Sequence, residues 1–171
     1  MTEEHVPSKA ELLEALRASR DEVLAIVRAL SRPRLEDGCY ENGWNGRQIL
    51  AHLASIEWTY PRLIDVARDA PTVEAVASGG EPTRTMRGGN DAYNDRQVAK
   101  RAHHSVDQLI TEFEQNRAAT IRAVENAEEP LFARRIRSAG GVIGPLAVVF
   151  YRVAVAHVLG HARDVAGARP A

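Results

Sequence analysis

The sequence predicts an all-α protein, an antiparallel four-helix bundle with a long crossover between the second and third helices. Three observations favour this fold. Apolar residues recur at three- and four-residue steps in four long segments, which is the spacing of one buried helix face. Capping motifs precede three of these segments. The 171 residues contain no convincing alternation of apolar and polar residues, the pattern of a half-buried strand.

The first helix is expected to begin after Ser8. Ser8 and Glu11 form a capping box, in which the serine hydroxyl and the glutamate three residues later each satisfy a free backbone amide. Pro33 ends the apolar pattern, because proline cannot continue a helix. The apolar face consists of Leu12, Leu16, Val23, Val27 and Leu30.

The second helix is expected to begin at a cap formed by Asn45, with Gln48 as the third residue of the helix. Its apolar run extends from Ile49 to Leu63. Pro61 lies inside this run, and its ring clashes with the preceding turn, so we expect a kink or a break near Thr59. Residues 69–90 are rich in glycine and proline and are interpreted as a long crossover.

A short helix is expected to begin around Asn90, and a second capping box, Ser105 with Gln108, precedes the third long helix. Glycines 140 and 141 predict a turn or a hairpin tip. Pro145 is well placed at the first position of a last helix that runs to about Val165. Together these elements predict one domain over residues 1–171, with a core of about 8–166.

The composition excludes several classes of function. The chain has 22 basic and 23 acidic residues, so it lacks the positive charge expected of a nucleic-acid-binding protein. Its most apolar stretch, residues 142–151, falls short of the roughly 20 residues that span a bilayer. A single cysteine, Cys39, cannot form an internal disulfide, and the N-terminus does not resemble a secretory signal. We therefore expect a cytoplasmic protein that binds neither nucleic acid nor membrane.

Three histidines have the placement of metal ligands. His157 and His161 are four residues apart, so they lie one turn apart on the core-facing side of the last helix. His52 faces inward on the second helix and could supply a third nitrogen. Three imidazoles leave an open coordination position, which is the condition for metal catalysis. The alternative is three histidines packed in the core without a metal.

Arg117 is the most unusual residue of the third helix, because it lies on the same face as Phe113. A buried arginine needs an acidic partner or an anionic ligand. One interpretation is a structural pair with a carboxylate such as Glu57. The other is that Arg117 binds a carboxylate of a substrate in a pocket.

Four further side chains are candidates for the site. Tyr60 lies two turns beyond His52, and Tyr93 with Asn94 begins the segment before the third helix, so these three could line a substrate pocket. Core packing is the alternative for the tyrosines. Asp164 follows His161 by three residues and could orient an imidazole, or could be a solvated charge. None of these residues is assigned a catalytic role.

Two segments resemble the DinB-like four-helix bundles, a superfamily that includes mycothiol-dependent maleylpyruvate isomerases and bacillithiol transferases. Residues 43–53 (GWNGRQILAHL) are similar to the tryptophan and histidine signature of that family, and residues 156–161 (AHVLGH) to its C-terminal histidine pair. The likeness covers nearly the whole chain. It implies that His52, His157 and His161 bind one divalent metal ion.

The resemblance implies thiol transfer, isomerisation or hydrolysis of a small molecule, with a low-molecular-weight thiol as a candidate cosubstrate. Zinc is the default metal, and nickel or iron also suits three imidazoles. Two alternatives stay open: a non-catalytic protein that binds or sequesters a small molecule, and a purely structural bundle. A homodimer is compatible with this fold, although the sequence identifies no interface.

Overall fold

A computed structural model of the protein describes residues 5–38, 40, 43–70 and 89–167. Most of the predicted crossover, residues 71–88, and Cys39 lie outside the described residues. The described part is mainly helical, as the sequence predicts, with one short hairpin.

The first helix, α1, spans Lys9–Ala29 and begins with the predicted capping box of Ser8 and Glu11. Pro33 does more than end the apolar pattern. It lies in the first turn of a short second helix, α2 (Arg32–Glu36), where its missing amide hydrogen is not needed.

The next helix, α3, spans Gly46–Glu57, and the predicted Asn45 and Gln48 capping box is present. The break predicted near Thr59 is also present: α4 starts after Pro61 and spans Arg62–Asp69. Gly46 is required at the start of α3, because a Cβ there would lie 3.0 Å from the Leu35 carbonyl oxygen. This close approach fixes α2 against the helix that carries His52.

Two helices follow the crossover. The short helix expected near Asn90 is α5, which spans Gly89–Lys100. The third long helix, α6, spans Val106–Asn126 and begins with the predicted capping box of Ser105 and Gln108. A 3₁₀ turn, Glu129–Ala133, ends this region.

The predicted turn at Gly140 and Gly141 is the tip of an antiparallel hairpin, β1 (Arg135–Arg137) and β2 (Ile143–Pro145), in which Ile136 pairs with Gly144. The last helix follows without interruption but is not uniform. It consists of α7 (Leu146–Phe150), a π-helical turn (Tyr151–Ala156) and α8 (His157–Val165). Pro145 therefore precedes the helix as the last residue of β2, and the π-turn was not predicted.

Four long helices enclose one apolar core. Helix α1 packs against α6 and the last helix, and α3 packs against the same two, so the order around the bundle differs from the order along the chain. This arrangement places α3 and the last helix, which carry the three histidines, side by side. Fully buried residues between the four helices include Leu12, Leu53, Phe113 and Phe150.

In the described part of the chain, every helix is too short or too polar to cross a lipid bilayer. The extent of the domain, residues 1–171, stays a prediction.

Candidate metal centre

The three predicted histidines converge on one point. His52 lies in the middle of α3, whereas His157 and His161 lie on the first and second turns of α8. One ring nitrogen of each lies within 4.8 Å of the ring nitrogens of the other two. The ring centroids are 4.6 to 5.6 Å apart, and the rings stand edge to face. Residues separated by more than 100 positions in sequence therefore form one cluster.

The distances suit a tetrahedral metal ion. Nitrogens bonded at 2.0 to 2.1 Å to such an ion lie about 3.3 Å from one another. The Nε2 atoms of His157 and His161 are 3.0 Å apart, close to that separation. The helix pair thus holds two nitrogens near the separation that such an ion needs, and His52 could supply a third nitrogen from the neighbouring helix.

His52 is the buried member of the cluster, with 2% of its surface exposed. Its Nδ1 atom is buried and has no hydrogen-bond partner among the described residues. Burial, together with the charges of His161 and His157, lowers the pKa of His52 to about 3. The ring is therefore neutral at physiological pH and offers a lone pair, the form that binds a metal.

His157 and His161 are partly buried, so the cluster is open toward solvent on their side. Burial and the neighbouring His161 lower the pKa of His157 to about 4, and a hydrogen bond with the backbone of Val153 opposes this shift. Imidazoles that converge from two helices, one with an unsatisfied buried nitrogen, fit a divalent ion of the zinc, nickel or iron type. The three histidines could therefore hold a divalent metal ion.

Trp44 connects the cluster to a small cavity. Trp44 packs against His52, with 5.3 Å between the ring centroids. Trp44 also lines a cavity of about 210 Å³ together with Asp91, Asn94 and Asp95 of α5. Asn94 thus shares a cavity with the tryptophan that contacts His52, and its function stays a prediction. The sequence analysis noted Trp44 only as part of the tryptophan and histidine signature and missed Asp91 and Asp95, for which their four-residue spacing on one helix face was the available signal.

Arg117 is fully buried and is surrounded by protein groups. Its Nη2 atom donates to Glu57 Oε2 at 2.9 Å, and its Nε atom lies 2.8 Å from Glu57 Oε1. The contact with Glu57 that the sequence suggested is therefore present. Further bonds from the guanidinium reach Leu16 O, Ser19 Oγ and Ala154 O. A direct contact of Arg117 with substrate stays a prediction. The guanidinium already donates to several protein groups, which disfavours such a contact.

The other candidates lie at different distances from the cluster. Tyr60 is buried, and its hydroxyl donates to the Val153 carbonyl at 2.6 Å. Tyr93 is partly buried on α5, and Asp164 is exposed on α8. The roles assigned to Tyr93 and Asp164 stay predictions.

The fold and the site together define the class of protein: a helical bundle with three converging histidines on two adjacent helices. Residues 16–166 match the family described as the mycothiol maleylpyruvate isomerase N-terminal domain. The chain therefore belongs to this family, which is part of the DinB-like superfamily.

Solved structures agree with this assignment at the level of the fold. The chain is similar to a mycothiol-dependent maleylpyruvate isomerase, with a TM-score of 0.72 and 17% identity, and to a histidine-to-alanine mutant of that isomerase, with a TM-score of 0.72 and 16% identity. Each match covers 96% of this chain and 63% of the isomerase. The chain thus spans less than two thirds of that enzyme's length. No curated protein matches the chain.

Proposed function

We propose that the protein is a divalent-metal-dependent enzyme that acts on a small molecule, with a low-molecular-weight thiol as cosubstrate. The observation that carries this proposal is the convergence of His52, His157 and His161 within 4.8 Å. The reaction is a thiol transfer, an isomerisation or a hydrolysis. Zinc is the default ion, and nickel and iron are the alternatives.

The residues of the site would have distinct roles in this reaction. The three imidazoles would hold the ion, and the cluster is accessible on the partly buried side of His157 and His161. Trp44 packs against His52 and shields that ring from water. When bound, a divalent ion lowers the pKa of a thiol or a water molecule in its open position.

Family membership supports a thiol as the second reactant. The matched family is named for mycothiol, and the isomerase with the same fold is mycothiol-dependent. The acidic and amide side chains of Asp91, Asn94 and Asp95 line the same cavity as Trp44, which contacts His52, and could bind the polar part of such a molecule. The choice among thiols and among substrates rests on experiment.

Metal content tests the first part of the proposal. Untagged protein should contain one metal equivalent per chain by elemental analysis, and His157→Ala should lose it. His103→Ala is the matched control, because His103 is exposed and lies outside the cluster. Metal-free wild-type protein that gains no thermal stability from zinc or nickel would instead indicate a structural bundle.

Turnover tests the second part. Metal-loaded protein should consume a thiol and an electrophile catalytically, and His157→Ala should abolish this activity while its circular dichroism spectrum is unchanged. Binding of one molecule per chain without turnover would instead support the non-catalytic, sequestering alternative. The homodimer and the cytoplasmic location both stay predictions. Light scattering would decide whether the protein is a homodimer.

A further inference from the structure

The last helix contains a π-helical turn directly before the histidine pair. The turn spans Tyr151–Ala156, and the backbone amide of His157 donates to the Arg152 carbonyl, five residues back instead of four. Such turns are rare, insert one extra residue into a helix and concentrate at functional sites. The inserted residue changes the direction in which His157 and His161 point, relative to the rest of the helix.

Two side chains from other helices hold this turn. The Tyr60 hydroxyl donates to the Val153 carbonyl at 2.6 Å, and Arg117 Nη2 donates to the Ala154 carbonyl at 2.8 Å. Tyr60 is 3% exposed and Arg117 is 0% exposed, so water does not compete for either bond. Burial raises the pKa of Tyr60 well above its usual value, which keeps the hydroxyl protonated as a donor.

The Val153 carbonyl also contacts the first histidine of the pair. The imidazole of His157 forms a hydrogen bond with the backbone of Val153. Its Nε2 atom faces His161 at 3.0 Å, so the bond to the carbonyl belongs to the other ring nitrogen, Nδ1. A ligand histidine that donates its second nitrogen to a carbonyl has its tautomer and orientation fixed.

The donors to the turn are themselves fixed to the rest of the bundle. Arg117 on α6 is paired with Glu57, which is the last residue of α3, and also bonds Ser19 on α1. Tyr60 lies three residues after the end of α3. The helix that carries His52 and the turn that orients His157 are therefore connected through the same buried groups.

We propose that Tyr60 and Arg117 are positioning residues of the histidine centre: they hold the π-turn so that the Val153 carbonyl aims His157 Nε2 at the site shared with His52 and His161. The inference rests on the proposed metal centre. It assigns these two residues a role through the backbone of the last helix, in place of direct contact with substrate.

A pair of tyrosine variants tests the inference. Tyr60→Phe removes one hydroxyl and keeps the ring that packs in the core. Tyr40→Phe is the matched control, because the Tyr40 hydroxyl also donates to a backbone carbonyl of the last helix, that of Val165, but beyond the histidine pair. We expect Tyr60→Phe to weaken cobalt and zinc affinity about tenfold, the lower end of the range for groups that orient a ligand.

The measurements are competition against a chromophoric chelator and the visible absorption spectrum of the cobalt-loaded protein. Tyr60→Phe should change both, and Tyr40→Phe should change neither. Equal affinities and spectra for Tyr60→Phe and wild type would overturn the inference while leaving the metal centre intact. A wild-type chain that binds no metal would defeat the proposed function instead.

The tautomer of His157 gives a second test that requires no variant. Nitrogen NMR of the metal-free, full-length protein at neutral pH should show the His157 proton on Nδ1. A proton on Nε2 would overturn the inference, even if Tyr60→Phe failed to fold.

Discussion

The burial of His52 makes a quantitative prediction for the metal-free protein. In the unfolded chain the ring takes up a proton as the pH falls through 6.5, whereas burial holds the pKa of His52 at about 3 in the fold. The unfolded state therefore binds more protons between pH 6.5 and 3, and stability is lost as the pH falls through this window. At pH 5, about 1.5 units below the unfolded pKa, His52 costs the fold about 2 kcal/mol.

The perturbation is His52→Gln, which replaces the ring with a side chain that does not titrate. We expect wild type to lose about 2 kcal/mol more stability than His52→Gln between pH 7.5 and pH 5. For a chain of this length, that difference corresponds to about 4 to 8 °C in melting temperature. Urea denaturation followed by circular dichroism, with a chelator present throughout, measures it.

The comparison between the two proteins is essential because two other groups, Glu57 and His157, have shifted pKa values in the same range and are present in both proteins. Burial raises the pKa of Glu57 to about 7, although the adjacent Arg117 opposes the rise, so Glu57 changes stability in the opposite direction. Glu57 is present in both proteins, and its effect cancels in the difference. Parallel stability curves from pH 7.5 to 5 would refute the reasoning, because they would show that His52 is as easily protonated in the fold as in the unfolded chain.

Two stability predictions follow from local packing. Gly46→Ala should destabilise the protein by about 1 to 3 kcal/mol, because the new Cβ would lie 3.0 Å from the Leu35 carbonyl oxygen. Gly160→Ala is the control: it has open space around it and should stabilise the protein by about 0.5 to 1 kcal/mol. Equal melting temperatures for the two variants would contradict this prediction. Lys9→Met should lower the free energy of unfolding by about 1 to 2 kcal/mol, since the ammonium donates to two carbonyls at the end of α6 at 2.8 Å each. Urea titrations measure this loss, and Lys100→Met, at an exposed lysine, is the control.

The sequence contained enough local information to predict the long helices. The capping residues Ser8, Asn45 and Ser105 act through neighbours three residues away, so their signals need no tertiary contact, and all three are present. Pro61 breaks its helix for an equally local reason. The inward placement of the three histidines also followed from helical spacing alone.

The π-turn and the surroundings of the centre depend on tertiary contacts. Residues 151–156 contain no proline or glycine that would mark an irregular helix, and their carbonyls are bonded by Tyr60 and Arg117 from distant parts of the chain. The contact between Trp44 and His52 likewise requires the fold, because spacing from the helix start indicates only that Trp44 precedes a cap. Periodicity identifies the buried face of a helix but not the partner that it meets there.

The position of Trp44 makes the centre visible to spectroscopy. The chain has two tryptophans: Trp44 is 7% exposed and contacts His52, whereas Trp58 is 54% exposed and stacks on Arg62. The buried indole should emit at shorter wavelength than the solvated one, and paramagnetic cobalt or copper on the imidazoles should quench it selectively. The protein thus carries its own fluorescent reporter, and a titration with no added dye can follow occupancy in real time.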